Sequence, residues 1–179
     1  MKALWAPWRS GYVMGPREEG CFLCAAPAAG DDRGRRIVHR SRRVYVILNS
    51  FPYNSGHVMV APLRHVARPQ DLDEEERLDL MDTLVLVMQA LQAALQPEGF
   101  NVGLNLGRAA GAGVEQHLHL HVVPRWVGDT NFMPVLADTK VLPEHLDVTY
   151  EKLRQALHAV QADASGGAPT PHPRPEDSL

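Results

Sequence analysis

The sequence is poor in cysteine and aromatic residues, carries almost no excess of charge and has no long apolar run. Of its 179 residues, 2 are cysteine and 6% are aromatic, and the formal net charge is -3. This charge argues against a nonspecific nucleic-acid binder, for which an isoelectric point above about 9 is typical. The apolar run 84–88 falls far short of the roughly 20 residues that a transmembrane helix needs, and residues 1–9 lack the features of a signal peptide. We therefore expect a cytoplasmic protein that binds neither nucleic acid nor membranes.

The two cysteines, Cys21 and Cys24, are separated by two residues. A disulfide-stabilised fold would need more pairs and an oxidising compartment. The spacing leaves three interpretations open: two small buried residues, half of a zinc site in which both thiolates reach one ion, or a redox pair. No βαβ pattern surrounds the pair, which disfavours the redox interpretation.

The chain divides into a single domain over residues 1–163, with an N-terminal extension over residues 1–20, and a tail over residues 164–179. Four prolines at alternate positions, together with serine, glycine and charged residues, dominate the tail. Such a segment cannot bury enough apolar surface to offset the entropy lost on ordering. We therefore predict that the tail is disordered.

The domain mixes strand and helix patterns. Strands are predicted at residues 37–38, 44–48, 56–62, 100–106 and 118–123, the first two as a hairpin. A helix from Asp73 to about Gln96 is predicted from apolar residues recurring every three or four positions after an acidic start. A second helix is predicted from about Pro143 to Asp163. This grouping favours an α+β fold with an antiparallel sheet, and no glycine-rich phosphate motif indicates a doubly wound nucleotide fold.

Histidines alternate with apolar residues from His117 to Val122. Successive side chains of a strand point to opposite faces, so His117, His119 and His121 share one face and the apolar residues share the other. Same-face neighbours are about 6.6 Å apart and the outer pair about 13 Å apart, from a rise near 3.3 Å per residue. Ligand atoms on one zinc ion lie only about 3.4 Å apart. The spacing therefore disfavours a site in which all three bind one ion, and favours different roles along the face.

The run from His117 to Val123 resembles the His-φ-His-φ-His-φ-φ signature of the histidine triad (HIT) superfamily of nucleotide hydrolases and transferases. Further matching pieces, in the same order as in the family, are Asn49 and residues 54–58, 62–65 and 101–107. Residues 4–9, 111–113, 121–126 and 128–135 resemble more specifically the branch of bacterial diadenosine tetraphosphate phosphorylases. The resemblance covers about residues 4–162. It implies the HIT fold, with one long central helix, a C-terminal helix and a homodimer whose two sheets join.

The resemblance implies that His119 attacks an α-phosphorus and forms a nucleotidyl-histidine, while His121 and His57 orient and polarise it. An imidazole that is neutral near pH 7 can act as a nucleophile without a strong base. Considered without the family, His57 is better interpreted as a satisfied core histidine. The implied metal site is a structural Zn²⁺ held by Cys21, Cys24, His65 and His117, a chemically suitable Cys₂His₂ set.

The nucleotide itself needs hydrogen-bond donors and a surface for the base. Glycines at Gly107, Gly111 and Gly113 leave backbone N–H groups accessible to an anion, and Asn105 adds an amide, although a connecting loop has the same composition. The family position of Asn49 implies a contact with the ribose hydroxyls, and Trp126 is a candidate for stacking on the base. Residues 113–116 replace the glutamine or hydroxyl side chains that the superfamily usually carries before the triad.

These features predict phosphorolysis of diadenosine tetraphosphate to ADP and ATP, with inorganic phosphate as co-substrate and AMP held on His119. Two alternatives remain. One is a hydrolase of dinucleoside polyphosphates or nucleoside phosphoramidates, with water as acceptor. The other is a nucleotide-binding sensor without turnover. An arginine-rich stretch over residues 33–43 either attracts polyphosphates or forms a solvated edge, and we do not include it in the site.

Overall fold

The structure is a computed structural model, which describes residues 20–130 and 144–166. Most of the N-terminal extension, residues 131–143 and residues 167–179 lie outside the described residues, and with them the predicted helix start at Pro143 and most of the predicted tail. The last helix ends at Gly166, three residues beyond the predicted domain boundary.

Five strands form one sheet in the order β1-β2-β3-β5-β4, and each neighbouring pair is antiparallel. The strands are β1 (Ile37–Arg40), β2 (Val44–Leu48), β3 (Val58–Pro62), β4 (Gly99–Leu104) and β5 (Leu120–Arg125). The helices are α1 (Phe22–Ala28), α2 (Glu74–Leu95) and α3 (Leu146–Gly166). The predicted α+β class, antiparallel sheet and N-terminal hairpin are confirmed.

The helix α2 begins and ends where the sequence predicts. The Asp73 carboxylate accepts the backbone N–H of Glu76, while the Glu76 carboxylate accepts the N–H of Asp73, which completes a capping box. Gln96 ends the helix in the left-handed conformation, with φ of 50°. Among the described residues, α2 is the one helix long and apolar enough to cross a membrane by length and composition. Here it packs on the sheet through fully buried residues that include Val87 and Leu91.

The two faces of the sheet are covered differently. On one face, α2 and α3 build the main core, which also contains Leu118, Leu120 and Val122. The predicted packing of these three residues against the helix is thereby confirmed. On the other face, Tyr45 and its neighbours on β2 and β3 pack against α1. The Tyr45 hydroxyl donates to the Leu23 carbonyl at 2.6 Å, and burial raises the pKa of this tyrosine. The histidines lie on this second face.

Several details differ from the sequence prediction, among them the strand ends: β1 continues to Arg40, β3 begins at Val58 and β5 continues to Arg125. The helix α1 was not predicted, because seven residues containing Pro27 show no usable periodicity. The strand β4 ends at Leu104, two residues before the predicted end. The strand β5 begins at Leu120 rather than 118, since the Leu118 N–H donates to the Val66 carbonyl at 2.6 Å and not to β3.

The arginine-rich stretch is largely occupied by ion pairs. The pairs are Arg33 with Glu151, Arg36 with Asp147, Arg40 with Asp32, and Arg42 and Arg43 with Glu75. The partners belong to α2, α3 and the segment before β1. Arg42 and Arg43 thereby link the first hairpin to α2, while Arg33 and Arg36 link the segment before β1 to α3.

Candidate active site and metal cluster

One end of the second sheet face holds a compact group of metal-ligating side chains, called here the metal cluster. It consists of Cys21, Cys24, His65 and His117, whose ligand atoms all lie within 4.8 Å of one another. The Nδ1 atom of His117 is 3.3 Å from both sulfurs, and the Nδ1 atom of His65 is 3.2 Å from the Cys24 sulfur. Two thiolates and two imidazoles at these separations suit a closed tetrahedral zinc site.

Local structure explains how the cluster forms. Cys21 is the N-cap of α1, and its carbonyl accepts the N–H groups of Cys24 and Ala25 at 3.0 Å, so the first turn brings both thiols to one side. The Nε2 atom of His117 donates to the Pro62 carbonyl at 2.9 Å, which leaves Nδ1 for a metal. Burial lowers the pKa of His117, so the ring is in the neutral form that binds a metal.

Next to the metal cluster, His119 is held with one nitrogen accessible. Its Nδ1 atom donates to the backbone carbonyl of His117 at 2.8 Å. The proton of the neutral ring is therefore on Nδ1, and the lone pair on Nε2 is available. The side chain is 7% exposed, and its ring centroid lies 4.9 Å from that of His121. This is the arrangement that a nucleophilic histidine needs.

His57 and His121 form a hydrogen-bonded pair with a defined direction. The backbone N–H of Tyr53 donates to Nδ1 of His57 at 3.0 Å, so the His57 proton is on Nε2. That proton is donated to Nδ1 of His121 at 2.9 Å, which in turn places the His121 proton on Nε2. The pair therefore presents one N–H donor, on a ring whose centroid lies 4.9 Å from that of His119.

Burial keeps this pair neutral. It lowers the pKa of His57 to about 3, with smaller contributions from His121 and His119. It also lowers the pKa of His121 to about 4, with a smaller contribution from His119. Both rings are thus uncharged near pH 7, which preserves the donor and acceptor pattern described above.

Hydrogen bonds hold both ends of the loop before β3, at Asn49 and at Asn54. The Asn49 N–H donates to the His57 carbonyl at 3.0 Å, and the Asn49 side-chain oxygen accepts the N–H of Phe51 at 2.8 Å. The predicted ribose-binding residue is therefore brought beside His57. At the other end, the Asn54 amide donates to the Asp129 carboxylate at 2.7 Å. The guanidinium of Arg125 holds the pKa of that carboxyl well below its usual range.

The predicted phosphate loop joins β4 to the histidine run. Gly107 and Gly111 both have φ of +79°, which favours glycine, and they flank a short 3₁₀ turn. An added Cβ at Gly107, Gly111 or Gly113 would meet no atom within 4 Å. The loop starts just after Leu104, which pairs with Leu120, and passes Asn105 on the way to His117. Its backbone is therefore open and starts close to the histidines.

Trp126 occupies a different place from the other predicted residues. It lies five residues beyond His121, roughly 16 Å along an extended chain. Its indole N–H donates to the Gln96 carbonyl at 3.2 Å. The ring lines a cavity of about 400 Å³ at the end of α2, together with Asn54, Ser55, Leu95 and Asp129.

Sequence reasoning did not single out Tyr53. Its ring stacks on His57 with centroids 4.7 Å apart and lies 5.9 Å from the centroid of His121. The available signal was weak, since it consisted of one aromatic residue four positions before His57 in a loop.

Comparison with known proteins agrees with this geometry. A family model described as the HIT domain matches residues 33–127. The chain is 39% identical over 155 residues to an AP-4-A phosphorylase of Mycobacterium tuberculosis, which covers 82% of this chain and 79% of that protein. The chain therefore belongs to the histidine triad family, and the resemblance stated from the motifs is confirmed.

Two further relatives bear on the chemistry. An asymmetrical bis(5'-nucleosyl)-tetraphosphatase of Schizosaccharomyces pombe is 32% identical over 96 residues, covering 54% of this chain and 52% of that protein. The solved structure of a zinc-bound histidine triad protein from Mycobacterium smegmatis aligns with a TM-score of 0.63 and 25% identity, covering 82% of this chain and 97% of that one. The named activities of the two sequence relatives both concern dinucleotide polyphosphates.

Proposed function

We propose that this protein cleaves diadenosine tetraphosphate by phosphorolysis, through AMP bound covalently to His119. The observation that carries the proposal is that the His119 ring, with Nδ1 occupied and Nε2 free, lies 4.9 Å centroid to centroid from the His121 ring, whose Nε2 carries a proton. A nucleophile and a hydrogen-bond donor side by side suit displacement at phosphorus. The 39% identity to an AP-4-A phosphorylase supports the choice of substrate and of phosphate as acceptor.

The reaction then proceeds in two displacements. The Nε2 lone pair of His119 attacks the α-phosphorus, and the bond from that phosphorus to the bridging oxygen breaks, which releases ATP. The His121 Nε2–H hydrogen-bonds to the departing oxygen and stabilises its charge. An oxygen of inorganic phosphate next attacks the phosphorus, the bond to His119 breaks, and ADP leaves. The His117 carbonyl holds Nδ1–H of His119 throughout and stabilises the charge that develops on the ring.

Further residues would bind the rest of the nucleotide. We assign the phosphate oxygens to the backbone N–H groups at Gly107, Gly111 and Gly113 and to the amide of Asn105. The ribose hydroxyls are assigned to Asn49, whose position beside His57 supports this role. Stacking of the base on Trp126 stays a prediction, since this ring lines the cavity at the end of α2, roughly 16 Å along an extended chain from His121.

We also propose that the metal cluster holds one Zn²⁺ ion through Cys21, Cys24, His65 and His117. The donor set and the separation of the ligand atoms support zinc, and a structural relative is described as zinc-bound. When bound, the ion would cross-link α1 to the segments after β3 and before β5. Two unpaired thiols also suit a reducing compartment, so we assign the protein to the cytoplasm.

One alternative function is favoured by a specific observation. Relatives named as a tetraphosphatase and as a triphosphatase match about half of this chain at 32% and 33% identity. In such a hydrolase, water would replace phosphate in the second displacement, and His119 and His121 would keep their roles.

Product analysis by chromatography separates the two functions. Diadenosine tetraphosphate is incubated with and without phosphate, with His119→Ala as the control variant. ADP and ATP formed only with phosphate would support the phosphorylase, whereas AMP and ATP in both buffers would identify a hydrolase. Binding without any product would contradict both and favour a sensor.

We further propose a homodimer in which two sheets join at β4. This strand is at the edge of the sheet and exposes Val102, and exposed Leu78, Met81 and Val85 share one side of α2. Unpaired edge strands and apolar stripes of this kind favour association. Sedimentation should give about twice the 19.8 kDa chain mass, and Val102→Lys should shift the protein to monomer. A monomer at every concentration would contradict this assembly.

A further inference from the structure

Tyr53 combines two contacts to the histidine pair that a loop residue has no need to make. Its backbone N–H donates to His57, and its ring stacks on His57 with an interplanar angle of 26°. The same ring also lies 29° from the plane of His121. Centroid separations of 4.7 and 5.9 Å are within the range of attractive aromatic pairs.

The distribution of solvent exposure shows what the ring does for the pair. Tyr53 is 54% exposed, whereas His57 is fully buried and His121 is 8% exposed. The tyrosine therefore lies between the pair and the solvent. A half-exposed ring adds little to the core, so its position is better explained by the imidazoles that it covers.

The loop keeps the ring in place from both sides. Asn49 fixes the start of the loop through the Phe51 N–H, and the His57 N–H donates to the Asn54 carbonyl at 3.1 Å. Asn54 is joined in turn to the end of β5 through the Pro124 carbonyl at 3.0 Å. The ring is thus held by a hydrogen-bonded frame and can resist rotation of the imidazoles beneath it.

We propose that Tyr53 is a positioning residue, whose ring holds the stacked His57–His121 pair so that the Nε2–H of His121 stays directed at the departing oxygen. The inference rests on the proposed function, since it presumes that His121 stabilises a leaving group. It adds a residue outside the triad that acts through His121. The ring, rather than the hydroxyl, is the part that matters, because the stacking contacts involve the ring.

This role predicts a specific dependence on the leaving group. If the N–H of His121 is misdirected, cleavage should slow most for esters of weakly acidic phenols, whose departing oxygen is basic. Esters of acidic phenols should be nearly unaffected, because their departing oxygen needs little stabilisation. Tyr53→Leu should therefore lower kcat roughly tenfold for basic aryl leaving groups, a small part of the 10²–10⁴-fold that acid–base groups contribute. Tyr53→Phe retains the ring and should restore the wild-type dependence.

The experiment uses a series of aryl esters of AMP whose phenols differ in acidity. Initial rates are measured for the wild type, Tyr53→Phe, Tyr53→Leu and Val148→Ala, the last as an exposed apolar control on α3. Tyr53→Met replaces the leucine variant if that variant fails to fold. A steeper dependence in the ring-less variant alone supports the role.

Two results would overturn it. One is an equal loss of rate for every ester, which indicates general loosening, and the other is no change at all. The activity of the wild-type enzyme shows whether a negative result concerns the role of Tyr53 or the proposed function. If the wild type releases a phenol from no ester in the presence of phosphate and cleaves no diadenosine tetraphosphate, the function is wrong, whereas normal wild-type turnover confines the failure to Tyr53.

Discussion

Two groups of histidines lie on the same sheet face, and two neighbouring members, His117 and His119, use opposite ring nitrogens. In the metal cluster, His117 gives its Nε2–H to a carbonyl and turns Nδ1 towards the sulfurs. Two residues later, His119 gives its Nδ1–H to a carbonyl and leaves Nε2 free. The same ring type therefore becomes a metal ligand or a nucleophile according to which nitrogen the backbone occupies.

The two groups are also coupled through a single residue. The side chain of His117 belongs to the metal cluster, while its carbonyl holds His119. A displacement of His117 would therefore change the orientation of the nucleophile. The difference between the groups lies in hydrogen-bond partners, and substitutions that remove one partner at a time can test it.

The largest effect is expected from His119→Ala. This variant removes the free Nε2, and loss of a covalent nucleophile lowers kcat by about 10⁴-fold or more. The measurement is turnover of diadenosine tetraphosphate, with zinc content as control. Zinc content should be unchanged, because His119 is not a member of the metal cluster. Substantial residual turnover would show that another group attacks phosphorus.

His121→Asn should rank second. It removes the donor beside the nucleophile, and such groups contribute about 10²–10⁴-fold. The covalent AMP adduct should still form, since His119 keeps its own hydrogen bond to the His117 carbonyl. The adduct can be detected by mass spectrometry of protein from reactions that are stopped without acid. Absence of any adduct at long times would indicate that His121 is needed for more than stabilising the departing oxygen.

Cys24→Ser should have a smaller effect on rate and a larger one on stability. Bound zinc should fall below one ion per chain, and Tm should fall, because metal binding free energy contributes to folding. Residues that orient a functional group through a second contact typically change activity 10–100-fold, and we expect a loss near tenfold here. Metal analysis, thermal unfolding and kcat test this together. An unchanged Tm with full zinc loss would mean that the metal cluster does not cross-link the fold.

The sheet, α2 and the placement of the histidines were predictable because their patterns are periodic. The alternation from His117 to Val122 separates the two faces of the sheet, and the acidic residues from Asp73 onward mark the N-terminus of α2. The family motifs supplied the four members of the metal cluster, which the structure brings within 4.8 Å.

Other features depend on contacts that no local pattern records. The choice of ring nitrogen in His57 and His117 is made by the Tyr53 N–H and the Pro62 carbonyl, which reach them only in the fold. The short helix α1 follows from docking of Leu23 into the second face of the sheet. A sequence pattern gives the side on which a residue lies, but the hydrogen-bond partner of each ring atom is a tertiary property.

The smallest predicted effect is a pH dependence of stability that belongs to the buried pair. In the fold, the pKa of His57 is about 3 and that of His121 about 4, whereas an ordinary histidine titrates near 6.5. As the pH falls below about 6.5, the unfolded chain binds protons at these sites and the folded chain does not. The stabilisation is therefore complete above the unfolded pKa and is lost as the pH falls towards 4.

Each such histidine contributes at most about 1.4 kcal/mol per pH unit to this slope. Urea unfolding between pH 7 and pH 4.5 measures it, in a Cys21→Ser, Cys24→Ser background so that metal release adds no pH dependence of its own. His57→Gln removes one of the two titrating sites, so its free energy of unfolding should depend less steeply on pH. Equal slopes with and without His57 would mean that the ring is protonated in the folded protein, and the donor chain from Tyr53 to His121 would then need a different assignment of protons.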